Sequence, residues 1–341
     1  MTAGQRHVVE AVYQDDTLRP SSPAFATPLK EHALVTATTL EPTSRPTDPI
    51  GRQAHKARQL LTASTKHSYD PELDIDWTAP LTPGKWFLPE HRCTLFGTDL
   101  WNRLTMEQKL AVSREEMASS MALGVWTEHM LLQLVARYVY DRDIATPAVQ
   151  FALTEVADEV RHMIMFANVV ESIGATTYAV PWKVRESGRL LKTAFPVQGL
   201  WALILLTEEI FDRIQREIAA DESAQPVIRA MSRIHVVEEA RHISFARAEL
   251  DTFVPSLNKA ELAGLRTVLA LTMYTFGQEL FNPEMYRRAG LDPREARKAA
   301  MSNPANKATF AWAAKRVVTH YREIGLIGGS SEKIWRAGGF L

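Results

Sequence analysis

Cysteine is almost missing from this chain of 341 residues: Cys93 is the only one. No disulfide can close within the chain, and a thiolate-rich zinc or iron–sulfur site is excluded. That usage suits a reducing compartment, so cytoplasmic localisation is expected. An excess of charge is missing too. Lys and Arg number 39 against 40 Asp and Glu, a formal net charge of −1, which points to neither nucleic acid nor a membrane as partner. No apolar run reaches the roughly 18 uncharged residues of a membrane-spanning helix. The N-terminus carries early charge and no apolar core of a secretory signal. Strand-like alternation of β-branched residues is scarce. What is present is ordinary apolar content, 46%, in a chain long enough to bury a large core.

Residues 1–50, rich in Thr, Ser and Pro without a sustained period, predict a mobile N-terminal arm. Residues 51–341 read as one domain, with a short helix over 51–66. From Trp77 to Thr105, Pro, Trp and Phe mix without period, which predicts an ordered wrap anchored by aromatics. Thr105 and Gln108 form a capping box that starts a helix running to about Asp141, with Gly124 a candidate kink. Thr146 caps the next helix, Pro147 takes its first position and Gly174 ends it. A third helix is expected from near Pro196 to about Asp221. A fourth starts near Ser223, with Pro226 in its first turn, and stops before Pro255. Ser256 starts a fifth, reaching about Phe281, and 293–301 and 305–324 form two more, ending at Gly325.

Inside these helices the chain repeats itself. Asp158-Glu159-Val160-Arg161-His162 and Glu238-Glu239-Ala240-Arg241-His242 stand 80 residues apart. Each holds Glu-x-x-His, which sets both side chains on one helical face. Glu128 precedes Glu159 by 31 residues and Glu208 precedes Glu239 by 31, about two helix arms and a turn. The offset selects Glu208 over its neighbour Glu209, which stays as the fallback. One such segment alone reads as a solvated face with local ion pairs. Six residues at one offset, within apolar helices, describe the dinuclear carboxylate site of a ferritin-like four-helix bundle, over about 105–255, with additional helices around it. The fold class is therefore all-α.

Four buried carboxylates require cations among them. Mixed carboxylate and imidazole donors suit iron or manganese. A ligating histidine normally donates its other N–H to a carboxylate, so Asp158 is expected to bond His242, and Glu238 to bond His162. Arg161 and Arg241 would neutralise that outer layer, and Glu155, one turn before Glu159, is a further supporting carboxylate. His235 shares a stripe with Glu239 and His242, so it is either a satisfied buried histidine or a seventh ligand to the same ion. His129 points away from the ligand face, and His320 reads as structural. Trp126, Phe166, Leu205 and Phe245 lie at ligand height but read as core.

The paired Asp-Glu-x-Arg-His and Glu-Glu-x-Arg-His segments resemble the diiron-carboxylate oxygenases, acyl-carrier-protein desaturases among them. His235-x-x-x-Glu239-x-x-His242 looks like the arylamine N-oxygenases, the family acting on p-aminobenzoate in the aureothin pathway and on the aryl amine precursor of chloramphenicol. The resemblance covers about 100–255, and an arm before the bundle fits the chloramphenicol-type branch. It implies two non-haem irons held by Glu128, Glu159, His162, Glu208, His235, Glu239 and His242. It further implies oxidation of an aromatic amine to a nitro group with O2, through hydroxylamine and nitroso stages, in antibiotic biosynthesis. The expected partners are the amine, an external electron donor (a protein or a small reductant) and a second copy in a homodimer. The alternatives are a desaturase-like enzyme acting on a carrier-bound acyl chain and a non-catalytic ferritin-like iron binder. His235 argues against the first, whose motif lacks it. The extra segments argue against the second.

Overall fold

The computed structural model describes residues 48–66, 68–194 and 196–341. The predicted arm falls on residues outside this range, except its last three, and Pro49 and Ile50 already belong to the first helix. The described chain is helical, with one isolated bridge between Trp86 and Ala224. In order the helices are α1 (Pro49–Lys66), α2 (Pro71–Asp74), α3 (Asp99–Arg103), α4 (Met106–Tyr140), α5 (Pro147–Ser172), α6 (Trp182–Ala194) and α7 (Leu200–Ala220). There follow α8 (Pro226–Phe253), α9 (Lys259–Glu279), α10 (Pro283–Arg288), α11 (Pro293–Ser302), α12 (Pro304–Glu323) and α13 (Ser331–Ala337). Helices α4, α5, α7 and α8 form the bundle. α4 packs on α5 and α7 on α8, and the two pairs meet through α5 and α8. α1 lies over α5 and α8, α12 over α7, and α13 over α9. No described helix is long and apolar enough to cross a membrane.

Local chemistry sets most of these boundaries. Thr105 and Gln108 make the reciprocal capping box at the start of α4, and Pro147 and Pro226 open α5 and α8, where a missing N–H costs nothing. Gly174 takes φ +65°, the left-handed turn that ends α5. Four expectations shift. Thr146 stands at the N-cap of α5 as expected but makes no side-chain cap bond, its hydroxyl donating instead to the Asp143 carbonyl (2.8 Å). α7 starts at Leu200, behind a 3-10 turn at Val197–Gly199. α8 starts at Pro226, since Ser223 is held in a turn by Asp221 (2.8 Å). α9 is capped by Asn258, in a reciprocal box with Glu261, while the Ser256 hydroxyl donates back to Phe253 (2.7 Å). Helix α6 was not expected. Its mid-helix Gly188 weakens any helical reading, yet a Cβ there would stand 2.6 Å from the Trp126 ring, so glycine is what lets α6 pack against α4.

The wrap over 77–105 is ordered and tied to the bundle. Trp86 donates to the Ser223 carbonyl (2.9 Å) and accepts from Gln225 (2.8 Å). Buried Ser113 on α4 accepts from the Phe87 and Leu88 amides (3.0 and 2.9 Å). Buried Glu116, also on α4, accepts the Thr94 amide at 3.1 Å and the Thr94 hydroxyl. Two apolar clusters fill the interior. One includes Phe151, Trp201 and Phe245, and the other Met117, Phe166 and Met231. On α5 the segment from Glu155 to His162 lies between Phe151 and Phe166. On α8 the segment from His235 to His242 lies between Met231 and Phe245. The polar layer is thus sealed from both ends.

α4 runs through Gly124 without a break, and the glycine serves a close contact instead: a Cβ there would lie 3.0 Å from two atoms of the buried Phe166 ring. Gly124→Val should therefore destabilise by about 1–3 kcal/mol through overpacking, and Gly124→Ala by less. Thermal melting reads this, and an unchanged melting temperature for the valine variant would show that Phe166 has room to move. A second expectation concerns pH. Burial pushes the Glu116 carboxyl up to about 7, with Thr94 partly opposing. The folded state therefore holds this proton more tightly than the unfolded chain. Its contribution is intact below the ordinary glutamate range and is lost as pH rises toward and through 7, ~3 kcal/mol in all. Glu116→Gln removes that slope, so the variant should gain melting temperature over the native chain between pH 5 and 8. Parallel melting curves across that range would refute the assignment.

Candidate metal centre

Each bundle helix contributes to one buried layer. α4 gives Glu128, α5 gives Glu159 and His162, α7 gives Glu208, and α8 gives His235, Glu239 and His242; every one of these side chains is buried. Their donor atoms assemble into two compact groups: Glu128, His162 and His235 in one, and Glu159, Glu239 and His242 in the other, with donors in each within 4.8 Å of one another. Glu239 stands between the groups. Its Oε1 lies 3.2 Å from His162 Nδ1, 3.6 Å from His235 Nε2 and 3.3 Å from His242 Nδ1. His162 Nδ1 is also 2.9 Å from Glu159, His242 Nδ1 is 3.0 Å from Glu159, and His235 Nε2 is 3.5 Å from Glu128.

The outer layer crosses the bundle. His162 Nε2 lies 2.9 Å from Glu238 Oε2, and His242 Nε2 lies 3.2 Å from Asp158 Oδ2. Each histidine thus meets the carboxylate that precedes the Glu-x-x-His of the opposite helix. A carboxylate at Nε2 fixes the proton there and turns the Nδ1 lone pair inward. Arg161 pairs with Asp158 and lies 3.9 Å from Glu238. Arg241 lies 3.2 Å from Asp158 and 3.7 Å from Glu238. Glu155 is fully buried beside this layer, and burial, with Glu159 and Glu239 adding, holds its carboxyl well above the usual range despite His242.

The electrostatics separate the residues. Burial opposes charge on His162 and His242, but Glu159 and Glu239 raise both far above an ordinary imidazole. Glu159 and Glu239 are held low by the same histidines, against burial. Glu128 and Glu208 are driven up by burial first, then by the neighbouring carboxylates. His235 is pushed down to about 3 by burial, then by His162. It is a neutral imidazole at any working pH.

The donor set fits a pair of metal ions. Both His235 ring nitrogens, both Glu239 oxygens, Glu159 Oε1, Glu128 Oε2 and His242 Nδ1 are buried without a hydrogen bond of proper geometry. Orphaned polar atoms are costly in an interior, and seven of them in one buried layer call for cations. Carboxylate oxygen mixed with imidazole nitrogen suits iron or manganese rather than calcium or a thiolate zinc site.

His235 groups apart from His242, while its Nε2 stays 3.6 Å from Glu239. His235 and His242 are seven residues apart, two helical turns or ~10 Å along the axis. His235 falls with Glu128 and His162 instead, and Glu239 and Glu159 each lie beside a histidine of both groups. Glu208 belongs to neither three-residue group, although Glu239 and Glu128 both act on its carboxyl. Glu209 is committed elsewhere, paired with Arg247. His129 is exposed, and His320 stands 3.8 Å from Asp251, away from the centre. Leu205 and Phe245 are core. Phe166 is more than core, because its ring lies 4.9 Å from that of His235.

Two cavities flank the layer. The first, about 90 Å³, is almost wholly apolar and includes Trp126, Thr127, Leu203 and Thr207. The second, about 120 Å³, takes Met117 and Met121 from α4, Ile210 and Gln215 from α7, and Glu116 at its margin. It draws on α4 before Glu128 and on α7 after Glu208, so these helices run in opposite directions past the centre. Sequence reasoning missed Glu116 and Gln215. Glu116 sits in Arg-Glu-Glu-Met-Ala-Ser-Ser, which looks like a solvated face, and it is covered by contacts with distant segments, the wrap over 77–105 among them.

Comparison with known proteins agrees with this geometry. The uncharacterized proteins Rv0885 and MT0908 of Mycobacterium tuberculosis and Mb0909 of Mycobacterium bovis are each 26% identical over 290 residues, which cover 81% of this chain and 84% of the relative. The family model of the p-aminobenzoate N-oxygenase AurF matches residues 52–325, a span that takes in all four bundle helices and both groups of donors. The chain belongs to the AurF family of diiron N-oxygenases and is an oxidoreductase whose family implies a non-haem diiron centre.

Proposed function

We propose that the chain oxidises an aromatic amine to the nitro compound, through hydroxylamine and nitroso stages, with O2 as co-substrate and electrons from an external donor. The observation that carries this reading is the position of His235: a third, neutral imidazole beside Glu128 and His162. The resemblance to arylamine N-oxygenases rests on that histidine, and the desaturase pattern lacks it. The reaction removes six electrons from nitrogen. Two O2 accept these and two more from the donor, leaving as the nitro oxygens and two waters. The amine we expect belongs to a chloramphenicol-type antibiotic pathway.

The proposed ligands are Glu128, Glu159, His162, Glu208, His235, Glu239 and His242, and the ions they hold would supply O2 reduction and oxygen transfer. The protein supplies the rest. Asp158 and Glu238 orient the two imidazoles, with Arg161 and Arg241 balancing their charge. The apolar clusters exclude water, which strengthens every charge interaction within the layer. The cavity of about 120 Å³ between α4 and α7 is the proposed amine site. Its size is on the scale that admits one aromatic ring.

Iron bound only by the folded chain adds stability by mass action, ~3 kcal/mol at a hundredfold excess over the dissociation constant. The iron-loaded protein should melt well above the iron-free form, and Glu159→Ala and Glu239→Ala should each lose iron and that increment. Equal melting temperatures at saturating iron would contradict the site. For the reaction, ferrous-loaded protein should convert an aryl amine to its nitro product in air. His235→Gln should retain most of its iron and lose the nitro product or stall at hydroxylamine. Wild-type product yield from that variant, or desaturation of a carrier-bound acyl chain with amines untouched, would defeat the N-oxygenase reading.

A further inference from the structure

The two cavities lie on opposite sides of the metal layer along the bundle axis, and they differ in chemistry. The larger one, proposed for the amine, has Arg92, Glu116, Gln215 and Asn306 in its wall. The cavity of about 90 Å³ lies on α4 from Trp126 onward and on α7 up to Thr207, with α6 and α9 as its other walls, and no charged side chain lines it. Its side-chain donors are the Trp126 indole and five hydroxyls. Three of these hydroxyls are turned back on their own helices. Thr127 donates to the Leu123 carbonyl (2.8 Å), Ser187 to that of Val184 (2.8 Å), and Thr207 to those of Leu203 and Ile204 (3.2 and 3.0 Å). The other two, Thr272 and Thr275, stand half-buried on α9.

The inner end of this cavity meets the proposed ligands. Thr127 and Thr207 immediately precede Glu128 and Glu208, and the Thr207 hydroxyl lies 3.5 Å from Glu208 Oε1. Leu131 follows Glu128 by three residues and Ile204 precedes Glu208 by four, so both buried side chains share the ligand face of their helices. On the α5 and α8 side the layer is backed by Asp158 and Glu238. On the α4 and α7 side each helix brings one carboxylate, and the apolar space adjoins it. Met273 and Phe276 of α9, both buried, line both cavities and so stand between them. An apolar space offers water too few partners and takes up apolar gases instead. The proposed reaction has one reactant of each kind: an amine with polar groups to place, and O2, which has none.

We infer that the apolar cavity between α4, α6, α7 and α9 is the site through which O2 reaches the metal layer, separate from the amine cavity, with Met273 and Phe276 as the partition between the two reactants. The inference rests on the proposed function for O2 as the reactant, while the preference of the cavity for an apolar gas stands on its lining alone.

Xenon is the probe for the cavity. Crystals of the protein under xenon pressure should show a peak bounded by Thr127, Leu131, Ile204 and Thr207. Leu203→Phe fills the cavity from α7 and should abolish that peak. In ferrous-loaded protein mixed with limiting O2, the same variant should slow oxidation of the iron about tenfold, with its iron content kept and its calorimetric affinity for p-toluidine unchanged. Thr272→Phe, which fills the cavity from a half-buried position on α9, should act in the same direction and carries the test should Leu203→Phe fold poorly. No xenon in this cavity, oxidation at the native rate in the filled variants, or loss of p-toluidine binding in place of slowed oxidation would overturn the inference. Nitro product from the native chain with no xenon in the cavity would overturn the O2 site and leave the N-oxygenase reading intact. Xenon in the cavity and slowed oxidation in the variants, with no nitro product from any aryl amine, would do the reverse.

Discussion

Glu239 brings a carboxylate, with no hydrogen bond of its own, into the middle of three buried imidazoles, and the rest of the interior is arranged around tolerating it. An isolated buried carboxylate neutralises or finds a partner. Here the partners come from three directions: His162 from α5, and His235 and His242 from one turn either side on α8. His162 and His242 can serve only because Glu238 and Asp158 hold their other nitrogens, and those carboxylates are held by Arg161 and Arg241. The chain of dependence runs outward from one oxygen through imidazole and carboxylate to guanidinium, with Arg241 still buried and Arg161 partly exposed.

This constraint explains the bundle better than apolar packing does. An apolar core tolerates sliding one helix against its neighbour more readily than this layer does. A shift of one turn in α5 against α8 would part His162 from Glu238 and His242 from Asp158 together, leaving two buried imidazoles without the carboxylates that orient them. The connections between helices therefore have to return each arm to the same height, and the equal 31-residue spacing in both halves is the trace of that requirement. The two apolar clusters on either side keep water from relaxing the charges, and Gly124 lets Phe166 close against His235.

The polar layer was legible in the sequence because metal-site geometry imposes fixed intervals. Glu-x-x-His places two donors on one face, and the 80-residue offset paired Glu128 with Glu208 across the bundle. The residues that precede each Glu met the opposite histidine, as the need to orient an imidazole suggested. What the sequence hid depends on contacts between distant segments. Helical period placed His235 on the stripe of Glu239 and His242 but could not say which group it joins, because the ion positions are set by α4 and α5 as much as by α8. Helix α6 was hidden by Gly188, whose reason lies on Trp126. Glu116 looked solvated until distant segments, the wrap over 77–105 among them, covered it, and a helix can be capped by Asn258 as readily as by the nearby Ser256.

The central claim is that the chain builds two metal positions that share Glu239. Anomalous diffraction from crystals of iron-reconstituted protein, recorded on either side of the iron absorption edge, tests it directly. The account predicts two iron peaks per chain, one within bonding distance of Glu128, His162 and His235 and one within bonding distance of Glu159 and His242, with Glu239 touching both. A single peak, a signal that vanishes at the iron edge but appears at the zinc edge, or a second ion away from His235 would contradict it.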